Sequence, residues 1–231
     1  MKRVLLKLSG EALAGEKKTG FDESTVKSVA GQVKKVIEGG CEVAIVIGGG
    51  NFWRGRSSEA IDRTKADQIG MLATVMNCIY VSEIFRSAGI PTEIMTPFSV
   101  GAFTELFSKD RATEAMKEGK VVFLAGGTGH PYFSTDTATV LRAIEIEAEM
   151  IQHTKSVDGV YDSDPKTNPE ARKYSEISIK DIVSGGLGVV DGTAAILAME
   201  NKMPMLVFGL NEKDSIVNAA NGIINGTRVT V

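Results

Sequence analysis

Apolar positions along this chain follow two rhythms. Residues 3–8, RVLLKL, make a short apolar run that predicts the first strand. Asp22 stands where it can cap a helix reaching about residue 38, because Val26, Val29, Ala30, Val33, Val36 and Ile37 recur at helical spacing. Gly39 and Gly40 stop that helix, and residues 41–47, CEVAIVI, read as a strand covered on both faces. The alternation continues: helix 65–87, strand 92–95, helix 109–118, strand 120–125 and a helix from 136 to 150. Helices near 178–184 and 191–200, a strand over 204–209, a helix near 213–221 and a strand near 227–231 complete it. Strands alternating with helices predict a three-layer αβα sandwich around a mostly parallel sheet, as one domain over residues 1–231.

The helix at 65–87 departs from simple amphipathicity. Ile69, Met71, Leu72, Val75, Met76, Cys78, Ile79, Val81, Ile84 and Phe85 cover more than one face. Such a helix is either central to the core or part of a subunit interface. No stretch is expected to reach the roughly 18 apolar residues of a membrane span.

Composition adds exclusions. Hydrophobic residues are 43% and charged residues 24% of the 231, ordinary for a globular chain. Lys and Arg number 26 against 29 Asp and Glu, a net charge of −3, which argues against nucleic acid or an anionic membrane as partner. Cys41 and Cys78 sit in apolar stretches without ligand spacing, as expected of reduced, buried thiols in a cytoplasmic protein.

The chemistry gathers at small-residue loops that end strands: Lys7-Leu8-Ser9-Gly10, Gly48-Gly49-Gly50 and Gly126-Gly127-Thr128-Gly129. No G-x-x-x-x-G-K-[ST] or G-x-G-x-x-G occurs, and Asp158, Asp162 and Asp164 lack the glycine and terminal Glu of a calcium loop. Any one of the three loops could be an ordinary turn. Together, with Lys7 and Arg54 as cations and Ser134, Thr135 and Asp136 opening a helix, they point to phosphate. His130 reads as a loop donor, His153 as structural, Trp53 as packing and Tyr161 as a surface for an adenine.

Seven segments then carry a resemblance: KLSGEAL, VIGGGNFWRG, DQIGMLATVMN, GTGHPYFSTDTA, LRAIEIEAE, VDGVYDSDP and GVVDGTA, in that order. The chain resembles, over essentially its whole length, the bacterial uridylate kinases (UMP kinases) of the amino-acid-kinase fold. The resemblance implies reversible transfer of the ATP γ-phosphoryl group to UMP, giving UDP and ADP in pyrimidine nucleotide biosynthesis. It implies Mg²⁺ held mainly through nucleotide phosphates, with no dedicated metal ligands. Lys7, Arg54, Asp136 and Asp191 would be catalytic. Lys7, Leu8, Ser9, Gly10, Gly50, Arg54, Lys155, Tyr161 and Asp164 would hold ATP. Gly49, Asp67 and the run Thr128, Gly129, His130, Pro131, Tyr132, Phe133, Ser134 and Thr135 would hold UMP. The family further implies a homohexamer, activation by GTP and inhibition by UTP. This sequence differs at Lys155, where Thr or Asn is common, and at His130, where Asn is usual.

Overall fold

The computed structural model describes residues 1–53, 60–223 and 225–231. The first half runs β1 (Arg3–Leu8), α1 (Gly10–Ala14), α2 (Glu23–Glu38), β2 (Glu42–Ile47), α3 (Arg63–Ser87), β3 (Thr92–Thr96), β4 (Glu105–Leu106) and α4 (Lys109–Lys117). The second half runs β5 (Val121–Leu124), α5 (Thr135–Glu145), β6 (Met150–Lys155), β7 (Glu176–Ser178), α6 (Ile179–Ser184), α7 (Gly192–Glu200), β8 (Met205–Gly209), α8 (Ser215–Ala220) and β9 (Thr227–Thr230).

Among the described residues these strands form one sheet, ordered β4-β3-β5-β2-β1-β6-β8-β9-β7. Every pairing is parallel except β8 with β9. Side chains alternate across it. Val4, Leu6 and Leu8 of β1 join Val43, Ile45 and Ile47 of β2 beneath α2, α3 and α8. Leu5, Ala44 and Val46 face the other layer, built from α4, α5, α6 and α7. Both faces are therefore apolar, the condition that favours a parallel sheet, and each fully buried Leu contributes about 1.5–3 kcal/mol.

Capping matches the sequence expectation at α2, where the Asp22 carboxylate accepts from the Thr25 N–H at 2.8 Å. One element is corrected. The helix expected over 136–150 ends at Glu145, and Met150–Lys155 is β6, a central strand between β1 and β8. Glu147 adopts a left-handed φ of 57°, which breaks the helix, and the Glu149 N–H then joins β1 through the Arg3 carbonyl at 2.9 Å.

α3 corrects the membrane expectation. By length and composition alone this helix could span a bilayer. It packs on β2, β3 and β5 instead, with Ala73, Val75, Cys78, Val81 and Phe85 buried. Its opposite side leaves Ile69, Leu72, Met76 and Ile79 exposed, so the helix is apolar all round but covered on one side only.

One core position is out of character. Cross-strand register sets Gln152 between Leu6 and Leu206, in a row otherwise apolar through Ile45 and Phe123. The side chain is fully buried, and neither amide atom has a hydrogen-bond partner among the described residues. An orphaned buried amide costs about 1–3 kcal/mol. Gln152→Met, similar in shape and apolar, is expected to raise the unfolding free energy by about 1–2 kcal/mol in urea titrations. A lower midpoint would show that the amide is serving a partner.

Candidate active site

β5, β2, β1 and β6 are parallel neighbours, so the loops after their carboxyl ends emerge at one edge of the sheet. The three small-residue loops of the sequence therefore meet, at the edge where open α/β sheets take ligands. The first two touch directly. The Gly48 N–H donates to the Leu8 carbonyl at 3.0 Å. A reciprocal amide pair, Asn51 with Asn77 at 3.0 and 2.8 Å, ties the glycine turn to α3, and Asn77 also donates to the Gly48 carbonyl at 2.7 Å.

Crowding, not backbone angle, explains Gly49. A Cβ on Gly49 would lie 3.0 Å from both the Ala73 Cβ and the Gly70 carbonyl of α3. One on Gly50 would lie 2.6 Å from a Glu11 carboxylate oxygen. The third loop differs: Gly126, Gly127 and Gly129 have φ of 78°, 63° and 84°, a region that disfavours side chains. Its Gly126 N–H is held by the Thr74 hydroxyl at 2.8 Å.

A charge centre lies at the end of β1. Lys7 Nζ is 3.0 Å from Asp136 Oδ1 and 3.1 Å from His153 Nε2. Asp136 arrives on the first turn of α5, whose cap is the Ser134 side chain. Burial, the largest single effect, raises the Asp136 carboxyl, but the neighbouring cationic groups, Lys7 foremost, together more than offset it and hold the pKa at about 2. His153 is pushed well below 6.5, chiefly by burial and then by the positive charge of Lys7, with Asp136 opposing. Lys155, two residues along β6, is lowered by burial first, with Asp136 opposing and Lys7 adding to the shift. The centre thus holds two lysines, one carboxylate and a neutral imidazole.

Asp191 has a different task. It caps α7 through the Ala194 N–H at 3.0 Å, and its carboxylate also accepts from the Ser134 and Thr137 hydroxyls of α5. It fastens two helix N-termini together beside the charge centre. Leu8 is likewise inward: its side chain is wholly buried in the core, so only main-chain atoms of that residue could face a ligand.

Two cavities flank this centre. One of about 200 Å³ is walled by Gly49, Gly50, Trp53, Asp67, Thr128, His130, Phe133, Ser134 and Thr135, with Arg63 and Thr74. Gly129, Pro131 and Tyr132 stay out of that wall. Tyr132 nevertheless steadies it, because its N–H donates to Asp67 at 2.8 Å and its ring lies 5.2 Å from the Arg63 guanidinium. The second cavity, of about 500 Å³, is lined by Lys155, Tyr161, Asp164, Gly185, Gly186, Leu187 and Gly188. Thr135 of the first wall adjoins Asp136, and Lys155 of the second acts electrostatically on the same carboxylate. A third cleft of about 540 Å³ between α2 and residues 210–214 contains none of the expected site residues and already holds the Lys35–Asp214 ion pair at 3.0 Å.

Arg54 falls outside the described residues. Trp53 packs as expected, its indole N–H donating to the Ala66 carbonyl of α3 at 2.8 Å, yet it also lines the smaller cavity. Sequence reasoning read His153 as structural without its pairing to Lys7, and missed Arg63 and the Asn51–Asn77 latch. Arg63 could have been flagged by its i,i+4 spacing from Asp67, with which it pairs at 2.8 Å. No short-range signal marks the other two. Among the described residues no group of three or more His, Cys, Asp or Glu side chains is arranged to hold a metal. Asp136, next to the cavity residue Thr135 and paired with Lys7, is a carboxylate of the kind that could supply one of the few protein oxygens Mg²⁺ takes when phosphates supply the rest.

Comparison with known proteins adds an independent line. The model of the amino acid kinase family matches residues 2–209. The solved structure of a UMP kinase from Bacillus anthracis superposes with a TM-score of 0.95 at 36% identity, over 99% of this chain and 96% of that one. A UMP kinase from Ureaplasma parvum gives 0.93 at 33% identity, covering 100% and 99%. The uridylate kinase of Archaeoglobus fulgidus gives 0.74 at 28% identity, covering 100% of both chains.

Proposed function

The chain belongs to the amino acid kinase family, and on that premise we propose that it is a UMP kinase, moving the γ-phosphoryl group of ATP onto the phosphate of UMP to give ADP and UDP. The observation that carries this reading is the pair of cavities on either side of one cationic centre, Lys7 with Asp136, His153 and Lys155. The larger cavity, with Tyr161 and Asp164, is suited to adenosine, and the smaller, with Asp67 and residues 128–135, to UMP. Gly49 and Gly50 would lie where the two substrates meet, and Ser9 and Gly10 beside the ATP phosphates.

The residue types suit that reaction. A phosphomonoester has its second pKa near ~6, so UMP is already a nucleophile at pH 7 and needs no general base. The neutral His153 and the lysine-paired Asp136 are poor bases, consistent with that. The obstacle is repulsion: two unit charges 4 Å apart repel by about 4 kcal/mol at an effective dielectric of 20. Positioning and charge neutralisation are then the main tasks. Lys7 would meet the transferring group, while Asp191 would act by holding α5 and α7 in place. Mg²⁺, when bound to the nucleotide phosphates, supplies further neutralisation. Arg54 is assigned to ATP on the motif alone.

Assay of ADP release with UMP, CMP and glutamate as alternative acceptors tests the proposal. Release with UMP alone is expected. Release with glutamate would reassign the chain to an acyl-phosphate-forming kinase, and ATP binding without release would make it a nucleotide-binding protein.

The exposed stripe Ile69, Leu72, Met76 and Ile79 on α3 supports self-association, within the homohexamer that the family resemblance implies. GTP activation, UTP inhibition and a cytoplasmic location belong to the same reading. Leu72 and Met76 are each 50% exposed. Leu72→Glu with Met76→Glu is expected to reduce the mass in light scattering to a smaller species without unfolding the chain. An unchanged mass would remove α3 from the interface.

A further inference from the structure

The strand register makes Lys7 and His153 direct neighbours on β1 and β6, on the face that also carries Leu5 and Ile151. Lys7 Nζ lies 3.1 Å from His153 Nε2 and 3.0 Å from Asp136 Oδ1. An ammonium group can only donate, so His153 Nε2 has to accept, which places the ring proton on Nδ1. We infer that His153 is a positioning residue: with Asp136 it engages two of the three ammonium N–H groups of Lys7 and leaves the third for the transferring phosphoryl group. The inference rests on the phosphoryl-transfer reading above.

Lysine is a point charge on a flexible four-carbon stem, and such a group is a poor directional donor unless the protein holds it. Asp136 alone would leave it one tether and free rotation about that contact. The imidazole supplies a second tether at no charge. A second carboxylate in its place would cancel the positive charge that the phosphates require, and a second cation would push Lys7 away. His153 can serve because it does not move: the side chain is buried, with 1% of the residue exposed, and its strand is hydrogen-bonded on both sides. The Thr154 hydroxyl also donates to the Lys7 carbonyl at 2.9 Å, fixing the main chain of the same pair. Burial and the neighbouring lysine charges keep the ring uncharged, as its acceptor role demands.

Two measurements test this. Nitrogen-15 NMR of the imidazole in the unaltered protein at pH 7 is expected to show protonated Nδ1 and bare Nε2. A proton on Nε2, or an imidazolium, would overturn the inference whether or not UMP is the acceptor. Kinetics then separates positioning from packing. Gln and Met have similar length, but only Gln offers a strong acceptor. His153→Met is expected to lower kcat about tenfold with little change in KM for UMP, and His153→Gln to keep most of the rate. In a Lys7→Ala background His153→Met is expected to cost nothing further. Equal losses in both backgrounds, or a Gln variant as slow as the Met variant, would overturn it. A wild-type protein inactive with UMP would instead overturn the functional proposal.

Discussion

Lys7→Ala is expected to lower kcat by about 10²- to 10³-fold while leaving KM for UMP nearly unchanged. The size follows from where the charge sits. Lys7 is mostly buried, its side chain 12% exposed, so water screens it poorly and its field would act strongly on phosphate oxygens bound beside it. The selectivity for kcat follows from position. The smaller cavity is walled by residues from the β2 and β5 loops, the start of α5 and the first half of α3, and Lys7 is not among them. Ground-state binding of UMP therefore persists when the lysine is removed, while the interaction that grows as the phosphoryl group moves is lost. Lys7→Arg is expected to be nearly as slow, because a planar guanidinium does not fit the two acceptors, Asp136 Oδ1 and His153 Nε2, that hold an ammonium. Steady-state kinetics, with circular dichroism to verify folding, checks both variants. A kcat within a few-fold of wild type for Lys7→Ala would refute the assigned role.

The way this centre forms also explains how far the sequence could be read. β1, α2, β2 and the glycine turn were legible because each announces itself locally, by apolar spacing, by the Asp22 cap or by a glycine stop. The same holds for the convergence of the small-residue loops, which follows from parallel strands alone. β6 was not legible. Its sequence MIQHTK carries Gln, His, Thr and Lys at positions that turn out to be central in the sheet, and polar residues in that number hide a buried strand. The pairing of His153 with Lys7 was hidden for the same reason: the two lie 146 residues apart, and only β-pairing brings them together. Asp191 was recognised as important from its motif, but motif position could not tell a phosphate contact from a bracket between α5 and α7. Its hydrogen bonds to Ser134, Thr137 and Ala194 show the bracket, which no local signal in the sequence announces.

Gly10→Ala is expected to cost about 3 kcal/mol of stability and most of the activity, although it adds a single methyl group. Gly10 lacks a positive φ, so its need for glycine is one of space. A Cβ there would overlap the Gly48 carbonyl oxygen and come within 2.5 Å of Asn51 Oδ1 and 3.1 Å of Asn77 Nδ2. None of these can yield alone. Gly48 is fixed at its N–H by the Leu8 carbonyl and at its carbonyl by Asn77, and Asn77 is locked to Asn51. The methyl group has to push the whole glycine turn off β1, breaking the buried amide latch and moving Gly49 and Gly50 away from Lys7. A displacement of about 1 Å between reacting groups can cost about 10²-fold in rate. Gly31→Ala supplies the contrast: it lies on the exposed side of α2, a Cβ there meets nothing within 4 Å, and the change is expected to add up to about 1 kcal/mol through helix propensity. Urea denaturation of both variants, with kcat for each, distinguishes crowding from a general effect of glycine replacement. If Gly10→Ala were as stable and as fast as Gly31→Ala, the two phosphate loops would not be packed on each other as described.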